Sequence, residues 1–340
     1  MKTLTSQERP RVGRDGSHSA YGQVLTLSPV VAAIVLLALT LMPGIVAAGA
    51  QDGTRGGEQD GDFCQLTAAD ALLACRTKAL SDSQLALGKC DNIANAARRK
   101  TCEQQAAADF KDAQRTCGDQ NDARLAVCQR LGGAAYDPVI KPENFVAEVN
   151  NPYFPLKPGT TFIYETSDGH QRDEFFVTHN TKVILGVTCV EVRDTVTQDG
   201  ELIEVTLDWY AQDKEGNVWY MGENAEQRQD GLVVGLQGSW TAGVDGAKPG
   251  IIMEAHPHVG DFYRQEFSLA VAEDIGEVLS LTASVTVPAG SFSHCLKTKD
   301  TSTLEPDVVE YKFYAPGVGN VLETDPSTGE RLELIEIKTD

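Results

Sequence analysis

Six cysteines are spaced symmetrically in the first half of the chain, and this spacing constrains the fold more than any other sequence feature. They lie at positions 64, 75, 90, 102, 117 and 128. Their separations of 11, 15, 12, 15 and 11 residues read the same from both ends, with a centre between Asn95 and Ala97. An antiparallel hairpin that turns at this centre would pair all six thiols. The spacing therefore predicts three disulfides, Cys64–Cys128, Cys75–Cys117 and Cys90–Cys102.

Helical periodicity agrees with this hairpin. Residues 63–132 contain many alanines and no proline, as expected of helices. Eleven and fifteen residues are close to three and four helical turns, so the cysteines of each arm share one broad face. Small residues fill the same face, and they allow the close helix approach that a disulfide requires. These stripes are Cys64, Ala68, Ala71, Cys75, Ala79, Ala86 and Cys90, and Cys102, Ala106, Ala113, Cys117 and Cys128.

A different turn is the alternative to this register. A turn at Ser81-Asp82-Ser83 would pair Cys75 with Cys90 and Cys64 with Cys102. Cys117 and Cys128 would then be left over or would have to pair with each other around Gly118. We favour the three-bridge hairpin because it leaves no thiol over.

The first 50 residues have the layout of a secretory signal. A basic polar region precedes the apolar run Val30–Met42, and small residues close the segment at Ala48-Gly49-Ala50. We expect cleavage after Ala50, and an uncleaved membrane anchor is the alternative. All eight cysteines lie beyond this point, which favours disulfides in a secreted or periplasmic protein. Residues 51–62 are rich in Gly and Asp and are predicted to be a disordered leader.

The net charge of −20 excludes one class of partner. A strongly acidic balance repels nucleic acid, because phosphate binding requires clustered Lys and Arg. No second apolar run approaches the length of a membrane span, so we expect none after signal cleavage.

The second half of the chain is predicted to be an antiparallel β domain. Residues 133–160 contain several prolines and are predicted to be a linker leading into residues 161–340. The segment Glu204–Trp209 alternates polar and apolar residues, and many similar short runs follow, separated by Asp-Gly and Pro-Gly pairs. The fold class is therefore α+β, a stapled helical hairpin followed by a β-sandwich or barrel-like domain. Cys189 and Cys295, each in a strand-like run, are expected to bridge one another.

Four segments of this β domain resemble a family of uncharacterised secreted bacterial proteins. They are NPYFPLKPG at 151–159, ILGVTCV at 184–190, DWYAQDKEGNVWY at 208–220 and YAPGVG at 314–319. The resemblance spans roughly residues 136–338. It implies an exported bacterial β domain and carries no catalytic residues.

One local cluster could hold a metal ion. In an extended chain, Glu254, His256 and His258 would point to the same side, with Asp261 close behind. One carboxylate and two imidazoles suit a divalent metal such as zinc or copper. The alternative is a polar loop punctuated by Pro257 and Gly260.

Aromatic residues offer a second candidate site. Trp209, Trp219, Tyr220 and Trp240 could form a surface that stacks on a sugar or an apolar ligand. Alternate aromatic residues in strands are also typical of a core. No nucleophile motif such as Gly-x-Ser-x-Gly is present.

These observations favour an exported, non-enzymatic protein with a rigid helical arm. Its β domain would bind a small molecule, a glycan or an envelope protein. A metal-binding protein or metal-dependent enzyme centred on Glu254, His256 and His258 is the first alternative, and a structural envelope component is the second.

Overall fold

The structure, a computed structural model, describes residues 62–340. The predicted export signal (1–50) and the predicted leader (51–62), apart from Asp62, lie outside this range. Within it, no helix combines the length and the apolar character that a membrane crossing requires.

The N-terminal part is the predicted helical hairpin. Helix α1 (Phe63–Asp91) and helix α2 (Ala96–Leu131) run antiparallel and are joined by a short turn. The carboxylate of Asp62 caps α1 by accepting from the backbone N–H of Gln65. Asn95 caps α2 in the same way through the N–H of Arg98. The turn therefore lies at the centre of the cysteine pattern.

All three predicted hairpin disulfides are confirmed. Cys64–Cys128, Cys75–Cys117 and Cys90–Cys102 are bonded, with Cα–Cα distances of 5.6, 5.8 and 5.5 Å. The alternative turn at residues 81–83 is wrong, because α1 continues through them as helix. Ala68, Ala71, Ala79 and Ala106 are buried, as the small-residue stripes predict.

Antiparallel strands form the rest of the described chain. A single 3-10 turn (Pro142–Asn144) precedes them. The strands are β1 (Phe145–Val146), β2 (Val149–Asn151), β3 (Phe154–Leu156), β4 (Thr160–Thr166), β5 (Gln171–Ile184), β6 (Val187–Gln198), β7 (Glu201–Asp213), β8 (Val218–Gln229), β9 (Leu232–Gly235), β10 (Trp240–Thr241), β11 (Lys248–Met253), β12 (Phe262–Arg264), β13 (Glu266–Phe267), β14 (Asp274–Val287), β15 (Gly290–Ser302), β16 (Val309–Ala315), β17 (Gly319–Thr324) and β18 (Arg331–Thr339). Three of these strands lie within the predicted linker, so it belongs to the β domain.

The main sheet returns on itself. Its hydrogen-bonded order is β12-β14-β15-β16-β17-β18-β4-β5-β6-β7-β8-β11-β13. The two ends of this path, β12 and β13, are separated in the chain only by Gln265. One short run of chain thus pairs with β14 on one side and with β11 on the other. The β domain is barrel-like, as the strand pattern predicted.

Aromatic side chains pack inside this barrel-like sheet. Phe154, on the small β2–β3 hairpin, contacts Phe175, Tyr210 and Tyr314 with ring centroids 5.2 to 6.5 Å apart. Backbone N–H groups of the same hairpin donate to the side chain of Gln212 on β7. The segment around Phe154 therefore anchors the domain core.

The predicted Cys189–Cys295 disulfide is wrong. Both residues are buried free thiols. Cys189 lies on β6 and Cys295 on β15, and five strands (β16, β17, β18, β4 and β5) separate them along the sheet. Each cysteine therefore has a different cross-strand neighbour. Burial raises the pKa of the Cys189 thiol to about 12. These thiols are packing residues of the core.

The base of the hairpin is docked on the β domain. Arg124 forms a buried ion pair with Glu273, and Arg130 forms an exposed one with Glu277. The side-chain amide of Gln120 donates to the backbone carbonyl of Leu304. Helix α2 is therefore fixed to the β domain by directional polar contacts.

Candidate functional site

Nine carboxyl side chains line successive strands on the inner side of the barrel-like sheet. Eight of them are at most 7 % exposed, and Asp274 is half-buried. Several are direct cross-strand neighbours, such as Asp208 with Glu223 and Asp300 with Glu310. We call this set the acidic belt; its members are Asp173, Asp194, Asp208, Glu223, Glu266, Asp274, Asp300, Glu310 and Glu323.

A single lysine balances this belt among the ion pairs of residues 62–340. The ammonium of Lys312 lies 3.5 Å from Asp300 Oδ2 and 3.6 Å from Glu310 Oε2. Burial alone would lower the pKa of Lys312, but Glu323, Asp300 and Glu310 outweigh it and raise the pKa well above its usual value. Lys312 is therefore charged, and the belt carries a large excess of acidic groups.

Two belt residues, Asp173 and Asp194, are close neighbours. Burial raises the pKa of Asp173 well above its usual range, and the charge of the neighbouring Asp194 raises it further. A second carboxylate close by disfavours the ionised form of a buried carboxyl. The protonated form of Asp173 is therefore favoured over a wider pH range than that of an exposed aspartate.

Burial has the same effect on other members of the belt. It raises the pKa of Glu266, with a further contribution from Asp274, and it raises the pKa of Glu323. These carboxyls therefore stay protonated to a higher pH than exposed carboxyls do.

Two of the predicted aromatic site residues are part of this interior. The hydroxyl of Tyr220 donates to Asp208 Oδ1 at 2.5 Å and lies 3.1 Å from Glu223 Oε2. The indole N–H of Trp240 donates to Glu266 Oε2 at 2.6 Å. The rings of Tyr220 and Trp240 meet edge to face, with centroids 5.4 Å apart. Aromatic rings and carboxylates together are typical of sites that recognise organic cations.

Several buried polar atoms of the interior have no hydrogen-bond partner in the described chain. They are one carboxylate oxygen each of Asp173, Asp194 and Asp300, and the hydroxyl of Thr298. Buried polar groups are normally paired, so each such atom requires an explanation. Thr298 lies directly opposite Lys312 and two residues before Asp300, on the same face of β15. Oxygen atoms without a partner in the described chain therefore lie on β5 and β6 and also on β15.

The other two predicted aromatic residues lie elsewhere. Trp209 is covered by the ammonium of Lys182, 3.2 Å from its ring centroid. The indole N–H of Trp219 donates to Asp213 Oδ2 at 2.9 Å, in the turn between β7 and β8. Trp209, Trp219, Tyr220 and Trp240 therefore do not form one stacking surface, because the pleat and a bulge at Trp209–Tyr210 direct them to different places.

The predicted metal site is not assembled. No group of three or more His, Cys, Asp or Glu side chains in residues 62–340 is placed to hold a metal ion. His256 and His258 are exposed, and Asp261 caps their turn by accepting from the N–H of His258. Burial, followed by the charge of Asp261, raises the pKa of Glu254 to about 7. The chain is bent after β11, so Glu254, His256 and His258 do not follow the extended geometry that the prediction assumed.

The acidic belt was not predicted from the sequence, although a partial signal for it exists. Asp194 is two residues from the buried Val192, and Asp208 is two residues from the buried Tyr210. A carboxyl in phase with the core-facing residues of a strand points inward. This parity marks single carboxyls as inward-facing, but it does not show which of them meet.

Together the fold and the interior define a class of protein: a disulfide-stapled helical hairpin docked on a barrel-like β domain with an acidic, aromatic interior. We find no matching family model and no matching curated protein. One solved structure is similar, that of a protein described as a "putative lipoprotein" from Parabacteroides distasonis. It is 16% identical, with a TM-score of 0.28, and the match covers 55% of this chain and 99% of that one.

Proposed function

We propose that this protein is an exported, non-enzymatic binding protein whose β domain takes up a small organic cation in its acidic interior. The observation that carries the proposal is the set of oxygens on Asp173, Asp194, Asp300 and Thr298 that have no hydrogen-bond partner within residues 62–340. A primary ammonium group has three donors and no acceptor, so it complements such a set.

The size of the sheet supports binding inside it. Side chains are sufficient to fill the interior of an eight-stranded barrel, and the diameter grows with strand number. The path described here has thirteen named strands, of which β12 and β13 are adjacent pieces of one run. Tyr220 and Trp240 would add aromatic contacts to a bound cation.

Three hairpin disulfides support export, because such bonds persist in oxidising compartments. The resemblance of residues 136–338 to secreted bacterial proteins points the same way. In this proposal the hairpin is a rigid arm attached through α2, and the acidic interior is the binding site.

Calorimetric titration with a matched set of probes tests the proposal. We expect putrescine, a diammonium compound, to bind, while its neutral analogue 1,4-butanediol and the anion succinate do not. We expect the double change Asp173→Asn/Asp194→Asn to weaken putrescine binding by at least about tenfold. Titration in buffers of different ionisation enthalpy should also show proton release, because the cation replaces protons held by the belt.

A matched control is available on the outer face of the same sheet. Glu174 and Glu226 are not in the belt and form ion pairs with Arg172 and Arg228. The change Glu174→Gln/Glu226→Gln should leave putrescine binding unaltered. Equal binding of succinate, or no binding of any probe to the folded protein, would overturn the proposal and favour a structural envelope component.

A further inference from the structure

A cavity lies where the hairpin meets the β domain. It has a volume of about 180 Å³. Its walls come from the base of the hairpin, where α1 begins and α2 ends, from the segment that follows α2, and from the region around β12 and β13. We call it the junction cavity.

Only three of the residues that line the junction cavity carry a charge: Arg124, Arg264 and Glu273. Arg124 binds Glu273 through two parallel hydrogen bonds of 2.8 Å, from Nε and Nη2. These two charges cancel, which leaves one guanidinium in excess. The cavity therefore carries a net positive charge, whereas the whole chain has a net charge of −20.

Arg264 has no carboxylate partner within residues 62–340. It is 9 % exposed, and its guanidinium lies over two rings, 4.6 Å from the centroid of Phe267 and 5.4 Å from that of Tyr136. Its Nη2 also donates to the sulfur of Cys64, at 3.9 Å. Burial lowers the pKa of Arg264, yet a guanidinium stays charged at any physiological pH. A buried charge without a counter-charge is costly.

A second unpaired donor belongs to Arg124, which also lines the cavity. Arg124 is buried, and its Nη1 has no hydrogen-bond partner among residues 62–340. Two guanidinium groups, one without an ion pair and one with a free nitrogen, therefore line the same small space. Guanidinium groups recognise carboxylates through paired hydrogen bonds.

Most of the remaining wall is apolar, apart from the hydroxyl-bearing residues Thr67, Tyr136 and Thr303. Phe63, Val127, Phe267 and Leu269 line it together with several alanines. A cavity of about 150 Å³ with apolar walls holds a benzene ring. The junction cavity is slightly larger, so it has room for a ring or a short branched chain that carries one polar head.

We infer that the junction cavity binds a small monocarboxylate with an apolar body. The carboxylate would accept hydrogen bonds from Arg264 and from the free Nη1 of Arg124, and the apolar body would contact Phe63 and Leu269. This ligand class is opposite in charge to the one proposed for the acidic belt. The two sites are therefore distinguishable by the probe that each binds.

Calorimetry of the full chain with benzoate, benzamide and benzylamine tests this inference without any substitution. Benzoate should bind, neutral benzamide should bind at least about tenfold more weakly, and the cation benzylamine should not compete with benzoate. Arg264→Gln should weaken benzoate binding by at least about tenfold.

Arg130 provides the matched control. It also lies on α2 at the junction, where it stacks on Phe262 and pairs with Glu277, but it does not line the cavity. Arg130→Gln should leave benzoate binding unchanged. Equal binding of benzoate and benzamide would overturn the inference, as would the absence of benzoate binding to folded wild-type protein. If circular dichroism shows that Arg264→Gln is misfolded, the comparison of the three probes on the wild-type protein still tests the inference.

Discussion

The hairpin and the β domain are stabilised in opposite ways. The two helices contact each other mainly through alanines and cysteines, and large apolar residues such as Leu73 and Leu85 remain exposed. Three disulfides hold this hairpin together. The β domain has one continuous apolar core, and its two cysteines are unbonded.

The difference follows from how much apolar surface each region buries. Alanine contributes little hydrophobic stabilisation, so the hairpin depends on cross-links that restrict the unfolded chain. The β domain buries many large side chains and can therefore tolerate carboxyls inside it. Covalent bonds thus occur where packing is weak, and buried charges occur where packing is strong.

The largest expected effect is at the contact between the two regions. Removing Glu273 would leave Arg124 as a buried charge without its partner, and Thr303 would lose its acceptor. We expect Glu273→Ala to lower the free energy of unfolding by about 3–5 kcal/mol. Urea denaturation followed by circular dichroism measures this loss.

The exposed pair at the same junction is the control for this change. Arg130 and Glu277 are partly exposed, so Glu277→Ala should cost at most about 1 kcal/mol. Equal losses for the two variants would show that burial of the Arg124–Glu273 pair is not what fixes the hairpin.

The second prediction tests whether a disulfide of the hairpin stabilises the hairpin without stabilising the β domain. Cys75→Ala/Cys117→Ala removes the central bridge and should destabilise the hairpin by about 2–4 kcal/mol. The helical circular dichroism signal should melt earlier. The fluorescence transition of Trp209, Trp219 and Trp240, all in the β domain, should move little.

Replacing Cys189 and Cys295 makes the corresponding test in the β domain, where the cysteines are unbonded. Cys189→Ala/Cys295→Ala breaks no bond, so the loss of stability should be smaller and should be seen in tryptophan fluorescence. A larger loss than for the hairpin pair would contradict the comparison.

The third prediction concerns the charges that the β-domain core tolerates. Because the folded-state pKa of Asp173 is raised, its contribution to stability is present below the ordinary carboxyl pKa and is lost as pH rises through the folded value. Asp173→Asn imitates the protonated form. The variant should be more stable than wild type at pH 8 and similar to it at pH 3.5 in urea denaturation.

Glu174→Gln, on the neighbouring exposed position of the same strand, should show no such difference with pH. If Asp173→Asn destabilised the protein equally at both pH values, the raised pKa of Asp173 would be excluded.

The smallest expected effect is at Glu254. Its pKa is raised from 4.5 to about 7, so it contributes stability below pH 4.5 that is lost as pH rises to about 7. Glu254→Gln should remove this loss and should stabilise the β domain at pH 8 by about 1–2 kcal/mol after solvent screening. Thermal unfolding at pH 4.5 and pH 8 measures it, with the exposed Glu215→Gln as control. An unchanged pH profile for Glu254→Gln would contradict the raised pKa.

The hairpin was predictable because its information is local and periodic. The symmetric spacing of six cysteines on helical faces favours the register that forms three bridges between the two arms. The strands and the antiparallel class were also predictable, since alternation along a strand needs no knowledge of its neighbours. The carboxyls of the belt were visible in the sequence, but their convergence was not.

The cysteine spacing was sufficient to predict the bridges Cys64–Cys128, Cys75–Cys117 and Cys90–Cys102. Only the folded β domain shows that Cys189 and Cys295 are unbonded and that Arg124 contacts Glu273, 149 residues away. Strand order decides such contacts, and it depends on long-range pairing across the whole sheet. Two helices joined by a short turn have one way to pair, whereas many antiparallel strands can be ordered in many ways that satisfy the same local pattern.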